Sequence, residues 1–297
     1  MFAPVGGVRR EPAAYIGCPV WAHAPWVGSF FARGTKREEF LGQYASVFGT
    51  AEGNATFYGL PKKETVLRWA QEAPPTFRFC FKFPRVVSHG RQLVGAEGEV
   101  REFLSRVEPL GERLGPFFLQ LSSDFGASRL TILEQFLASL PRAHTYAVEV
   151  RHGDFFDEGP SEKRLNAILE AAGVDRVTFD TRGLFASKAR DEITLDAKAK
   201  KPRVPVRFLS TGSRPFVRFV GDPEVEANDA FLGEWAGVFA AWIAQGKTPY
   251  FFGHHPDDGL APQLCRRFQA ALSARCAAVP PPAAWPGEAG QSQMSLL

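Results

Sequence analysis

Short runs dense in aromatic and β-branched residues recur along the chain, separated by longer segments whose apolar residues fall three to four positions apart. Eight runs read as strands: Tyr15 to Trp21, part of Val47 to Tyr58, Phe77 to Pro84, Phe117 to Ser122, Tyr146 to His152, Val174 to Thr181, Phe216 to Gly221 and Tyr250 to His254. The intervening segments read as helices, among them Lys36 to Phe48, Lys63 to Glu72, Val100 to Leu114, Arg129 to Leu140, Lys163 to Ala172 and Asp229 to Gln245. In the fourth of these, Leu130, Leu133, Phe136, Leu137 and Leu140 share one face. Alternation of this kind specifies a parallel α/β architecture. Eight repeats in 297 residues fit a single (β/α)8 TIM-type barrel, which takes about 250 residues. The competing arrangement, an open doubly wound sheet, would carry a GxGxxG turn if it bound a dinucleotide, and none is present.

Two regions break the rhythm. Gly183 to Val206 is charged, with Lys198, Lys200, Lys201 and Arg203 close together, and reads as an extended loop over the barrel mouth. Past residue 278 come Pro280, Pro281 and Pro282 and then small and polar residues, a composition expected to stay disordered. The expected organisation is therefore a flexible segment over 1–13, a barrel over 14–278 and a disordered tail over 279–297.

A strand of a closed parallel barrel is covered on both sides, so a charge within it needs a reason. In Phe79-Cys80-Phe81-Lys82-Phe83 the period of two sets Lys82 on the face opposite the phenylalanines. If those pack under helices, Lys82 points inward. The same parity pairs Glu149 with Arg151 in the fifth strand. Glu52 and Asn54 stand at the end of the second strand, Gln120 in the fourth, Asp180 in the sixth and Arg218 in the seventh. All lie toward C-terminal strand ends, where barrel enzymes assemble their catalytic groups. Glu149 and Arg151 also read as a buried ion pair that merely satisfies the barrel, and Gln120 as a hydrogen-bonding core residue. A lysine among phenylalanines suits an electrophile, an anion clamp or a Schiff-base former. His254 and His255, followed by Asp257 and Asp258, suggest metal or proton-transfer chemistry, although the spacing matches no strong metal motif. Trp21, Trp26 and Tyr58 stand at strand ends or in loops where an aromatic platform could face a ligand.

Composition narrows the function classes. The 35 basic and 32 acidic residues nearly cancel, leaving a net charge of +3, so no global field of a dedicated nucleic-acid binder exists. Nucleic acid stays open as a partner without being favoured. No run approaches the roughly 20 apolar residues of a spanning helix, and the first residues carry no signal-peptide pattern, so a cytoplasmic location without membrane association is expected. Cys18, Cys80, Cys265 and Cys276 are widely separated and suggest neither a disulfide framework nor a thiolate zinc site.

Five stretches together resemble the DUF72, or YecE-like, family: Tyr15 to Trp21, Ala51 to Pro61 with its E-x-N-x-T-F-Y segment, Phe77 to Pro84, Leu119 to Leu121, and Val148 to His152. The resemblance covers roughly residues 14 to 272. It implies a β/α barrel of unassigned biochemical function and places Glu52, Asn54, Tyr58, Lys82, His89, Gln120, Glu149, Arg151, His152 and Arg218 at family motif positions. Two departures stand out. Val20-Trp21 replaces a glycine-tryptophan pair found in many members, and His254-His255 replaces an asparagine pair after the last strand.

The resulting expectation is an enzyme acting by acid/base chemistry on a small polar or anionic substrate. Glu52, Lys82, Glu149 and His152 are the candidate catalytic groups. Trp21, Asn54, Tyr58, His89, Gln120, Arg151, Asp180, Arg218 and His254 are the candidate binding groups. One variant adds a divalent metal held by Glu52, Glu149, Asp180 and a histidine, and another is a non-catalytic barrel binding nucleotides or nucleic acid.

Overall fold

The computed structural model describes residues 11–288. Eight strands, β1 (Tyr15–Cys18), β2 (Thr50–Gly53), β3 (Arg78–Phe81), β4 (Phe117–Gln120), β5 (Tyr146–Glu149), β6 (Asp175–Asp180), β7 (Phe216–Val220) and β8 (Tyr250–His254), form one parallel sheet. Its order is β3-β2-β1-β8-β7-β6-β5-β4. The two ends meet through isolated parallel bridges, Phe79 with Leu114 and Lys82 with Phe118, so the sheet closes as a (β/α)8 barrel. The helices that follow are α1 (Phe40–Ala45), α2 (Lys63–Glu72), α3 (Glu97–Val107), α4 (Leu130–Ser139), α5 (Pro160–Ala172), α6 (Arg182–Ala186), α7 (Glu192–Lys200), α8 (Asp229–Ala244) and α9 (Ala261–Ser273). No helix of the described residues is long and apolar enough to cross a membrane.

The period of two along each strand separates two cores. Phe79, Phe81, Phe83, Leu119, Val148, Val217, Phe219 and Phe251 belong to the large cluster between sheet and helices. Tyr15, Cys80, Phe118, Ala147, Val177, Phe216, Tyr250 and Phe252 fill the barrel itself. Residues two positions further on in this inward phase therefore reach the C-terminal mouth. There Lys82, Gln120, Glu149, Arg218 and His254 replace the apolar filling.

Two expectations change. The charged stretch 183–206 is largely helical. It contains most of α6 and all of α7, with Asp191 capping α7 by accepting from the Thr194 amide at 2.9 Å. Three of its four basic residues are tied up locally: Lys198 Nζ donates to the Ser187 carbonyl, Lys200 pairs with Asp196, and Arg203 lies over the Phe185 ring. The segment after residue 278 is packed as far as it is described. Val279 and Trp285 are buried, Trp285 stands edge-on to Phe30 at 5.4 Å, and Arg266 both covers its ring and pairs with Glu288. Two large apolar side chains in a proline-rich stretch gave it something to bury, which the small-residue composition obscured. Trp285→Ala should cost about 3 kcal/mol, the low end for losing a buried aromatic, as read by denaturant unfolding. Of the expected flexible segment 1–13, residues 1–10 lie outside the described residues, and Glu11 pairs at 3.5 Å with both Arg78 and Arg214. The expected disorder of 289–297 also lies outside them.

Candidate functional site

The centre of the mouth is Arg218, on β7. Its Nε and Nη2 donate to the two carboxylate oxygens of Glu52 at 2.6 and 2.9 Å, a bidentate fork, and its Nη1 donates to Glu149 at 2.7 Å. All three side chains are almost completely buried. Glu149 also pairs with Arg151, just beyond the end of its own strand. Asn54 Nδ2 donates to Glu52 at 2.8 Å and to the Pro19 carbonyl at 3.1 Å, and His254 Nε2 lies 3.3 Å from the other Glu52 oxygen. Burial pushes both glutamates up, but the guanidinium groups outweigh it. Arg218 with His254 holds Glu52, and Arg151 with Arg218 holds Glu149, below the ordinary carboxylate value. The same partners raise Arg218 against its own burial.

Lys82 is held differently. Its ammonium donates to Gln120 Oε1 at 2.8 Å and lies 3.9 Å above the centre of the Phe57 ring, and no carboxylate among the described residues lies within ion-pair reach. Gln120 accepts from Arg151 as well, at 3.3 Å. Burial, followed by the neighbouring Arg218, lowers the Lys82 pKa to about 8 from 10.5, despite the opposing influence of Glu149. Local sequence explains the placement. Gly53 lets the β2 end pass the Phe81 ring, where a Cβ would stand 2.2 Å from a ring carbon. The chain then turns through the 3₁₀ segment Asn54–Phe57, and Thr56 Oγ1 donates to the carbonyls of Gly53 and Lys82 at 2.8 and 2.6 Å. That clip sets Phe57 over the amine.

Other candidate residues lie elsewhere. Asp180 faces the helix layer, where Trp235 Nε1 donates to it at 2.8 Å and Arg182 pairs with it. On β6 the inward phase runs through Val177 to Phe179, so Phe179 is the mouth residue, with the Arg151 guanidinium 4.4 Å over its ring. Trp21 packs edge-on to Trp69 and Phe79 under α2, and Trp26 is buried, so neither is a mouth platform. His152 accepts from the Asp154 amide at 3.2 Å and caps the turn Gly153–Phe155 at the rim, making no bond to the central groups. Tyr58 is 85% exposed, edge-on to Phe57. His89, in the π-helical turn Val86–Gly90, stands edge-on to the same ring at 5.2 Å and is lowered by burial and by Lys82. The suggested metal set is not assembled: Arg218 bridges Glu52 and Glu149, and Asp180 lies on the other face. Among the described residues no group of three or more His, Cys, Asp and Glu side chains converges as metal ligands would. His255 is turned aside, bonded to Asp257 and to the Pro223 carbonyl.

Four residues near these groups were absent from the candidate catalytic and binding sets. Lys201, just after α7, is lowered by burial and by Arg218 and Arg151, while Asp258 pulls it up. Asp258 has a left-handed backbone, φ 62°, unusual without glycine, and its carboxylate makes no hydrogen bond within the described residues. Burial raises it, opposed by His254, Lys201 and His23. The Asp258 backbone carbonyl accepts from Trp26 Nε1 at 3.0 Å. Phe57 and Phe179 form the aromatic walls. Phe179 had a legible signal in the parity of its strand, Lys201 stood in the basic run expected over the mouth and Asp258 in the stretch after His254 and His255, whereas nothing singled out Phe57.

The family model described as "Protein of unknown function DUF72" matches residues 15–288. UPF0759 protein YecE of Escherichia coli K12 is 42% identical over 250 residues, which cover 84% of this chain and 89% of that protein, and its counterpart in strain O157:H7 matches equally. Among solved structures, a DUF72 family protein of Thermotoga maritima MSB8 superposes with a TM-score of 0.66 at 23% identity, covering 88% of this chain and 99% of its own. Another from Enterococcus faecalis V583 superposes with a TM-score of 0.65 at 20% identity, covering 88% of this chain and 95% of its own. These two likenesses carry the barrel fold.

Proposed function

We propose that this chain, which belongs to the DUF72 family, is an enzyme that binds a small anionic substrate at the barrel mouth and transfers protons through Lys82. The observation that carries the reading is the division of labour among the charges. Both central glutamates are engaged by arginines, whereas Lys82 has only a neutral amide and an aromatic face. Glu52 and Glu149, which the sequence suggested as acid and base, are held ionised by Arg218. They serve to fix the guanidinium groups, since a general base works best with a pKa near the working pH. Lys82, at about 8, meets that condition. By direct contact, Glu52 and Glu149 stand with Arg151 and Arg218, and Lys82 shares Gln120 with Arg151, two carboxylates against three cationic groups. An anion therefore completes the mouth, and Phe57 and Phe179 limit its size.

A pool of small phosphate- and carboxylate-bearing metabolites, incubated with the protein and followed by mass spectrometry, tests the reading. One compound should be consumed by the natural chain and spared by Lys82→Met. Inorganic phosphate, titrated by NMR, should bind the natural chain about tenfold more tightly than Lys82→Met, the order expected from losing one charge-assisted hydrogen bond. Equal phosphate binding, or consumption that survives the substitution, would overturn it.

A further inference from the structure

We propose that Lys82 is an imine-forming nucleophile, because its amine, alone among the central ionic groups, meets no carboxylate and stands against the Phe57 face at an anion-binding mouth. The substrate class is then a small aldehyde or ketone that also carries a carboxylate or phosphate. The proposal rests on the anion-binding reading and makes it specific. An amine is made nucleophilic by desolvation and by neighbouring cations. Lys82 has both: it is 9% exposed, and Arg218 and Arg151 flank it. The arginine forks are also placed to take the anionic group. Arg151 uses Nε and Nη2 on Glu149 and Gln120 and leaves Nη1 without a partner among the described residues.

The step balances without an oxidant or reductant. The neutral Nζ lone pair attacks the carbonyl carbon, the C–N bond forms, and the C=O π electrons move to oxygen, which takes up a proton as nitrogen releases one. The carbinolamine oxygen is protonated again and leaves as water while the nitrogen lone pair closes the C=N bond. His89 stands edge-on to the same Phe57 ring that lies under the amine.

Trapping with cyanoborohydride tests it on the full chain. Glyoxylate, an aldehyde bearing a carboxylate, and acetaldehyde, its uncharged counterpart, are the probes, and peptide mapping locates the adduct. At pH 7, glyoxylate should label Lys82 at least tenfold faster than exposed Lys62, Lys63 or Lys163: a pKa of about 8 against about 10.4 leaves roughly 200 times more free amine, and the lower basicity and burial of Lys82 take back part of that factor. Acetaldehyde should lose most of that preference, and inorganic phosphate should protect Lys82. Lys82→Arg should bind phosphate without forming the adduct. Labelling that falls on Lys201 or the surface lysines while Lys82 is spared overturns imine formation. If phosphate still binds in that case, the anion-binding reading stands alone; if phosphate neither binds nor protects, that reading falls too.

Discussion

Arg218→Met should destabilise the protein by about 3–5 kcal/mol, the range for breaking a buried ion network by removing one partner. Methionine fills similar volume, so the loss comes from charge. Glu52 would keep only Asn54 and His254, and Glu149 only Arg151, with both carboxylates still out of water. At about 2–4 °C per kcal/mol for a domain of this size, the melting temperature should fall by roughly 10 °C. Adding Glu52→Gln should restore part of the loss, because the amide carries no unpaired charge, and the double-mutant cycle on denaturant midpoints measures the coupling. A cost below about 1 kcal/mol would mean that water reaches the glutamates. The same network sets an acid limit. Both glutamate pKa values are lowered from 4.5 in the fold, so their contribution is complete above about 4.5 and is lost as the pH falls through the lowered values. Unfolding in acid should therefore begin below about 4.5, and Arg218→Met should blunt that dependence.

Lys82→Met should have the opposite sign and stabilise the protein by about 1–2 kcal/mol at neutral pH. A pKa moved from 10.5 to about 8 corresponds to roughly 3 kcal/mol against the charged form, at about 1.4 kcal/mol per unit. The Gln120 bond and the Phe57 contact offset part of it. Below pH 8 both folded and unfolded states carry the proton and the cost is complete. Between about 8 and 10.5 the folded state has released its proton while the unfolded state retains it, so the natural chain gains stability as the pH rises and the advantage of methionine closes. Stability curves for the two proteins at pH 7 and pH 10 check this. A group retained at a cost to stability is the signature of a working site.

The strands, and with them the barrel, were legible because period-two alternation is local. The phenylalanines around Lys82 set its direction before any fold was known. The site was legible to the same extent: Glu52, Gln120, Glu149, Arg151 and Arg218 converge because each shares an inward phase or lies at a strand end. Asp180 fails by one residue, since Phe179 holds the phase there, and a charge next to an aromatic residue does not by itself say which of them faces inward. Partner choice was not legible. Nothing in the sequence shows that Arg218 reaches across the barrel to Glu52, 166 residues away, or that both glutamates are thereby held ionised. Lys201 and Asp258 depend on where a helical segment and a left-handed turn settle, and Trp285 on a groove beside Phe30 that exists only after folding.

The central claim is that Lys82 stands at the mouth as a partly desolvated amine beside two arginines and no carboxylate. The direct measurement is its titration in the full chain, by 13C NMR of the labelled lysine side chains with Lys82→Arg assigning the signal. The account predicts a midpoint near 8 that rises when inorganic phosphate occupies the mouth, since an anion favours the charged ammonium. A midpoint at the ordinary lysine value of about 10.4, unmoved by phosphate, would contradict it.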